Sequence, residues 1–353
     1  MIPSTTATRH GTAVRAALWV AAVLGAFLIV FPLAIGLPGK SAASGNLMSA
    51  MRPMMTDQAL AQGRADQSTM ASMSSQLTGK MIPTLATQLG MTPQQLNAYF
   101  GQNLPATAKG LGEVGTLQAS FGGLQSLMEQ QQANFRQADQ IPTSFMPPTT
   151  MTSLFLVPGI VLMLVAAIGL VRPRRARQMV AATGVVAIVM SAGLLATSMY
   201  GKASAADEMT AAFRPVFAAS SIQQTQALTA DASAMATELT QKALPAFATA
   251  LHVSPSQLAA GMATSYPAVT AGMQELPGII GRMDGAATLI ATQKDNFDQT
   301  AAIPWTPGSM VGVFWSMMAP ALLVLVVAAG TLLAATGTAP QARRTVLRPG
   351  AQH

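Results

Sequence analysis

Apolar residues run without a charged interruption through four stretches of the chain, residues 16–37, 152–171, 179–200 and 311–337. Each is long enough to cross a hydrocarbon layer of about 30 Å, which takes roughly 20 helical residues at about 1.5 Å apiece. Between these runs the pattern changes. Over 38–151, Met48, Met51 and Met55, then Met70, Met73 and Leu77, then Leu117, Phe121, Leu124, Met128 and Phe135 follow three-and-four spacing. Over 201–310, Ile279, Met283, Ala286, Ile290 and Phe297 do the same. Such spacing gathers apolar side chains on one helix face. Neither region shows the period-two alternation of a strand, and Ala, Gln, Met and Leu dominate both, so both are predicted helical. The expected fold class is an all-α integral membrane protein with four transmembrane helices and two helical domains between them.

The two halves read alike at an offset of 162 residues. Gly39-Lys40 returns as Gly201-Lys202, Arg52-Pro53 as Arg214-Pro215, Lys80 as Lys242, Glu113 as Glu275 and Asn134-Phe135 as Asn296-Phe297. The prolines agree as well, Pro83 with Pro245, Pro93 with Pro255, Pro105 with Pro267 and, inside the second and fourth spans, Pro158 with Pro320. Agreement over the whole length points to a duplicated module. Both modules begin on the same side of the membrane, so the expected architecture is a tandem parallel repeat, related by an axis along the membrane normal.

The repeated phrases "MTPQQL" and "VSPSQL" start helices. Thr92 and Ser254 are N-caps, Pro93 and Pro255 take the first helical position, and Gln95 and Gln257 stand where a capping box needs its returning side chain. A nucleophilic role for either hydroxyl would require a base beside both, and none is supplied. Each interspan domain is expected to hold a long helix leaving the membrane, a cap of short helices punctuated by Pro83, Pro93 and Pro105, and a long returning helix. Ile141-Pro142 and Ile303-Pro304 would end the returning helices, because proline disfavours helix at the residue before it. "PTSFMPPTT" and "PWTPGS" read as stiff joints, and Trp19, Trp305 and Trp315 as interfacial anchors. The apolar stripes of the two domains are expected to meet in a shared bundle, or to be covered by a partner protein.

Charge adds orientation. Half the residues are hydrophobic and only 9% are charged, too apolar for an ordinary soluble chain. Arg9, Arg15, Arg172, Arg174, Arg175, Arg177, Arg343, Arg344 and Arg348 occupy the segments 1–15, 172–178 and 338–353, which carry no acid; all 13 Asp and Glu lie in the two long segments. The positive-inside rule therefore predicts a cytoplasmic N-terminal tail, link and C-terminal tail, with both large domains outside a bacterial cytoplasmic membrane. The first span is expected to be retained and not cleaved as a signal peptide. The net charge of +7 is thus a topology signal, with no nucleic acid implied.

Candidate chemistry is sparse. Cys is absent, which removes disulfides, thiol nucleophiles and thiolate metal sites. Met48, Met51, Met54 and Met55 could offer thioethers to copper, but the second half has Thr210, Phe213, Val216 and Phe217 there, so apolar packing accounts for both. His252 faces Gly90 in the alignment and reads as a loop residue. No zinc-protease or nucleotide-binding pattern occurs, so no cofactor, metal or nucleotide is expected. The spans contain no ionisable residue, which argues against ion-coupled transport. Pro158 and Pro320 are expected to kink their spans, and Ala166-Ala167 and Ala328-Ala329 permit close helix packing. The recurring charges Arg52/Arg214, Lys80/Lys242 and Glu113/Glu275 form a candidate duplicated structural or partner site. The plainer expectation pairs each Glu with a base across its hairpin, worth about 0–1 kcal/mol when exposed.

These observations lead to a non-enzymatic membrane protein whose duplicated domains bind or scaffold a partner in the cell envelope. A second expectation is lipid or hydrophobic-solute handling, as a carrier or an accessory subunit of an envelope transport complex. A third is a ligand sensor that signals through another protein.

Overall fold

A computed structural model describes residues 5–141, 150–303 and 309–336, with side chains from 11 to 334 within those ranges. Pro142, Pro304, Trp305, most of the two proline-rich joints and the arginine-bearing tail 338–353 lie outside the described residues. The described residues are helical throughout their regular structure, with no strand among them. They fall into two units, one holding residues 1–42, 140–207 and 301–353, the other residues 43–139 and 208–300.

The first, the span unit, is built on α1 (Thr5–Ala34), α7 (Met151–Val171), α8 (Ala176–Ala196) and α14 (Met310–Thr336). All four are long and apolar enough to cross a membrane. Within the unit α1 packs on α7, α8 on α14, α7 on α8, and α1 on α14. Small residues set the crossings. A Cβ added to Gly25 would lie 2.9 Å from the carbonyl oxygen of Gly159, and one on Gly159 would lie 2.9 Å from that of Gly25. Ala187 and Ala321, both buried, hold the corresponding places on α8 and α14. Ala166 and Ala328 are also buried, as their size anticipates, and Pro158 and Pro320 sit inside α7 and α14. Val23, Val30, Leu164, Val189 and Val326 point outward, an apolar exterior suited to lipid. Trp19 and Trp315 are half or more exposed.

The spans end earlier than apolarity suggests. Gly36 and Ser198 take left-handed backbone conformations, φ 67° and 51°, which close α1 and α8 before α2 (Leu37–Met51) and α9 (Met199–Phe213) begin. Glycine adopts this region freely, whereas Ser198 does so at a cost of order 1 kcal/mol.

The second, the loop unit, contains α3 (Asp57–Gln76), a π turn (Leu77–Met81), α4 (Ile82–Gln88), α5 (Pro93–Asn103) and α6 (Pro105–Ala138). The second half supplies α10 (Ala219–Glu238), a π turn (Leu239–Ala243), α11 (Leu244–Ala250), α12 (Pro255–Ser265) and α13 (Pro267–Ala301), each starting 162 residues after its counterpart. The expected single helix out of the membrane is two helices. Pro53 and Pro215 withhold the N–H that would continue α2 and α9, and Thr56 restarts the chain as α3 by accepting a hydrogen bond from the Ala59 N–H at 3.1 Å. Pro83 does not break its helix either, because the π turn before it makes room for the ring against the preceding carbonyls.

The halves interlock inside this unit. Gly110 of α6 sits against Met235 of α10, and Gly272 of α13 sits against Met73 of α3, too closely in both cases for a Cβ. Met48, Met51 and Met55 are buried, as are Phe213 and Phe217, and Phe217 stacks on Phe297 at 4.2 Å between centroids. The space left where Met51, Met128, Phe213 and Ile290 meet is about 10 Å³, too little for a ligand. Here methionine fills core volume among phenylalanines. Leu85, Leu96 and Phe100 form a further core with Phe247, whose ring meets that of Phe100 edge to face at 6.1 Å.

Candidate functional site

The long helices α6 and α13 are each capped by the opposite half. Leu104 precedes α6 and offers no capping side chain. Instead Glu238, at the end of α10, accepts a hydrogen bond from the Thr107 N–H at 2.7 Å. Reciprocally, Gln76, at the end of α3, accepts one from the Val269 N–H at 3.0 Å. Residues 76 and 238 are counterparts, as are 107 and 269, so the exchange is symmetric. Burial alone would raise the Glu238 carboxyl, but hydrogen bonding at the start of α6, led by the Thr107 N–H and helped by Lys242 at 3.7 Å, outweighs it and holds the group below the ordinary carboxylate value. A helix N-terminus favours that negative charge as well.

The residues singled out from the sequence do not share one place. Thr92 and Ser254 accept from the Gln95 and Gln257 N–H groups at 3.2 Å, while the Gln95 and Gln257 side chains accept from the Thr92 and Ser254 N–H groups at 2.8 and 2.9 Å. Both are full capping boxes with Pro93 and Pro255 in the first turn. His252 and Gly90 just before them share a left-handed conformation, φ 56° and 64°. Arg52 grips Asp139 with two hydrogen bonds of 3.0 and 2.8 Å, which raises its pKa. Arg214 has Ala301 where Asp139 stands, so this clasp belongs to one half. Lys80 is exposed on its π turn.

The expected pairing of Glu113 and Glu275 with a base across the hairpin is not what the fold makes. Glu275 accepts from the Thr69 hydroxyl of the other half at 3.2 Å. Glu113 keeps one buried carboxylate oxygen without a hydrogen-bond partner, because nearby Lys109 is drawn to Asp231 of the other half at 2.8 Å. Contacts between halves displaced the contacts within a hairpin.

Two further sets of contacts lie outside the expectations from sequence. One is a bidentate ion pair between Asp66 and Arg282, which joins α3 to α13. The other is a glutamine ladder on α6. Gln118, Gln125 and Gln132 donate to the Met70, Leu60 and Met55 carbonyls at 3.0, 2.8 and 3.0 Å, stitching α6 along the first half. Their seven-residue spacing was the available signal, and it is missing from the second half, where Ile280, Ala287 and Lys294 stand.

Where the second half lacks the ladder, a groove runs between α10 and α13. It has a volume of about 540 Å³ and is lined by Thr229, Ser233 and Thr237 from α10 and by Leu276, Ile280 and Asp284 from α13. A second, mostly apolar recess of about 320 Å³ shares Thr240 and Met273 with it and continues to Leu244, Leu258 and Met262. Volumes of this order are those of small-molecule sites. In the first half, Gln67, Gln118 and Gly122 replace Thr229, Ile280 and Asp284; Gln118 spans to α3, and the Gln67 amide lies over Gly122. The span unit has a separate apolar groove of about 580 Å³ between α1 and α14, lined by Phe27, Trp315, Pro320 and Leu323.

Comparison with family models, with curated proteins and with solved structures returned no match.

Proposed function

We propose that this chain is a non-enzymatic binding protein of a bacterial cytoplasmic membrane, a duplicated module whose two helical domains lie outside and present a fixed surface to a partner in the envelope. The reciprocal caps, Glu238 on α6 and Gln76 on α13, carry the reading: they lock the two halves into one body and leave the outward faces of its helices as the part available for recognition. The matching element starts support the duplication. The arginine-rich segments 1–15, 172–178 and 338–353 support internal tails and link.

Because the chain has no Cys, single cysteines placed at exposed Gln102 and Gly261 test the topology directly. A membrane-impermeant maleimide added to whole spheroplasts should label both; protection of either until lysis overturns the orientation. Affinity purification in mild detergent should then recover a stoichiometric protein partner, and a lone monomer would count against the scaffold.

Lipid or hydrophobic-solute handling is the second reading, and the α1–α14 groove favours it. Gly312 also lines that groove, so native mass spectrometry that found lipid retained by the native chain, and lost on Gly312→Leu, would support it over the scaffold.

A further inference from the structure

We infer that the groove between α10 and α13 is a binding site for a small amphiphile with a primary ammonium or guanidinium head and an apolar tail. The chemistry of its walls selects that class. Thr229, Thr237 and Thr240 each donate their single hydroxyl proton to a carbonyl of their own helix, at 2.9, 2.9 and 2.9 Å. Their oxygens therefore face the groove as acceptors only. Asp284 adds a carboxylate that enters no ion pair among the described residues, and no Lys or Arg lines the groove. Gln226, Ser233 and Gln241 also line the groove and can donate, so it is Asp284, the one charged residue of that lining, that repels anions and rewards a cation carrying N–H groups.

The apolar end lies elsewhere along the same cleft. Asp284 and Met273 are 11 residues apart on α13, about 16 Å at the helical rise. Beyond Met273 the recess is walled by Leu244, Leu258 and Met262. A ligand that satisfies both ends carries its charge at Asp284 and runs its tail past Leu276 toward Met262. Asp284 has Gly122 as its counterpart, and the first half spends Gln67 and Gln118 closing the seam, so the site belongs to the second half alone.

The test uses the full chain in detergent, with decylamine, 1-decanol and decanoate presented separately in native mass spectrometry and in thermal-shift assays. Decylamine should bind one to one and raise the melting temperature, and the alcohol and carboxylate should bind far more weakly. Asp284→Asn should weaken decylamine by about tenfold or more, the value of a lost charged hydrogen bond, with Asp284→Glu restoring it. Thr229→Gln combined with Ile280→Gln, which installs the residues of the first half, should abolish binding while the melting temperature without ligand is kept. Equal binding of the three probes, indifference to Asp284→Asn, or survival of binding in the double variant would each overturn the inference. So would a polypeptide cross-linked at position 280 in membranes together with no decylamine binding, since the groove would then receive protein.

Discussion

Asp66 on α3 holds Arg282 on α13 through two hydrogen bonds of 2.7 Å, with the carboxylate 2% exposed and Gln62 donating a further bond at 2.8 Å. Asp66 has Leu228 as its counterpart and Arg282 has Ser120, so this clasp between halves occurs in one direction only. Arg282→Ala strands a buried carboxylate and should cost about 2–4 kcal/mol, less than a wholly buried pair because the guanidinium is half exposed. Adding Asp66→Leu, the residue the second half uses, should return most of the loss. Chemical unfolding of the two variants in detergent decides it; a double variant no better than the single one defeats the ion-pair account.

Glu238 makes the fold acid-sensitive at one helix start. Its folded pKa is depressed, so its stabilisation is fully present above the unfolded carboxylate value of about 4.3 and disappears as pH falls through the lower folded value. Glu238→Gln copies the solution used at Gln76 and should fold with a small loss near neutrality. Its deficit relative to the native chain should shrink as pH drops below about 4, as read by melting temperature against pH. Glu238→Leu leaves the Thr107 N–H buried without an acceptor and should cost about 1–3 kcal/mol.

Gly110 and Gly272 should respond alike. Alanine at either forces its Cβ into the stem of Met235 or Met73, contacts that rotamer changes at the sulfur end do not relieve. Each substitution should destabilise by about 1–3 kcal/mol. Pairing Gly110→Ala with Met235→Ala should relieve the clash but open a cavity, giving a non-additive double-mutant cycle. Additive losses would show that the two residues do not touch.

In the span unit, Gly25→Leu or Gly159→Leu should separate α1 from α7, because the intruding side chain meets the opposite backbone carbonyl as well as neighbouring side chains, and the carbonyl cannot swing away. Gly25→Ala asks less, since alanines already hold the corresponding crossing at Ala187 and Ala321. Cross-linking of cysteines placed at Phe31 and Phe155, whose rings lie 6.5 Å apart between centroids across the same helix pair, should fall in the leucine variants and persist with glycine at both positions.

Signals contained within one helix are legible in the sequence, and contacts between distant helices are not. The apolar runs marked all four span helices, and Thr92 and Ser254 declared their capping boxes because such a box is complete within four residues. The two residues Gly36 and Ser198 that end α1 and α8 early were hidden inside apolar text, since only backbone conformation distinguishes them. Glu113 and Glu275 were assigned partners within a hairpin because helical spacing reports on one helix at a time. Thr69, Asp231, Glu238 and Gln76 meet the other half instead, and no periodicity in a single helix encodes which helix will face it. The glutamine ladder was legible in principle as a heptad of polar residues, and its absence from α13 was the one trace of the groove.

The exchanged caps also impose an order on biosynthesis. Thr107 leaves the ribosome 131 residues ahead of the side chain that satisfies it, a wait of roughly ten seconds at about 5–20 residues per second. Through that interval the start of α6 and the notch at Gly110 stand open, and the nascent first half must be shielded from neighbouring chains until its sibling arrives to close it.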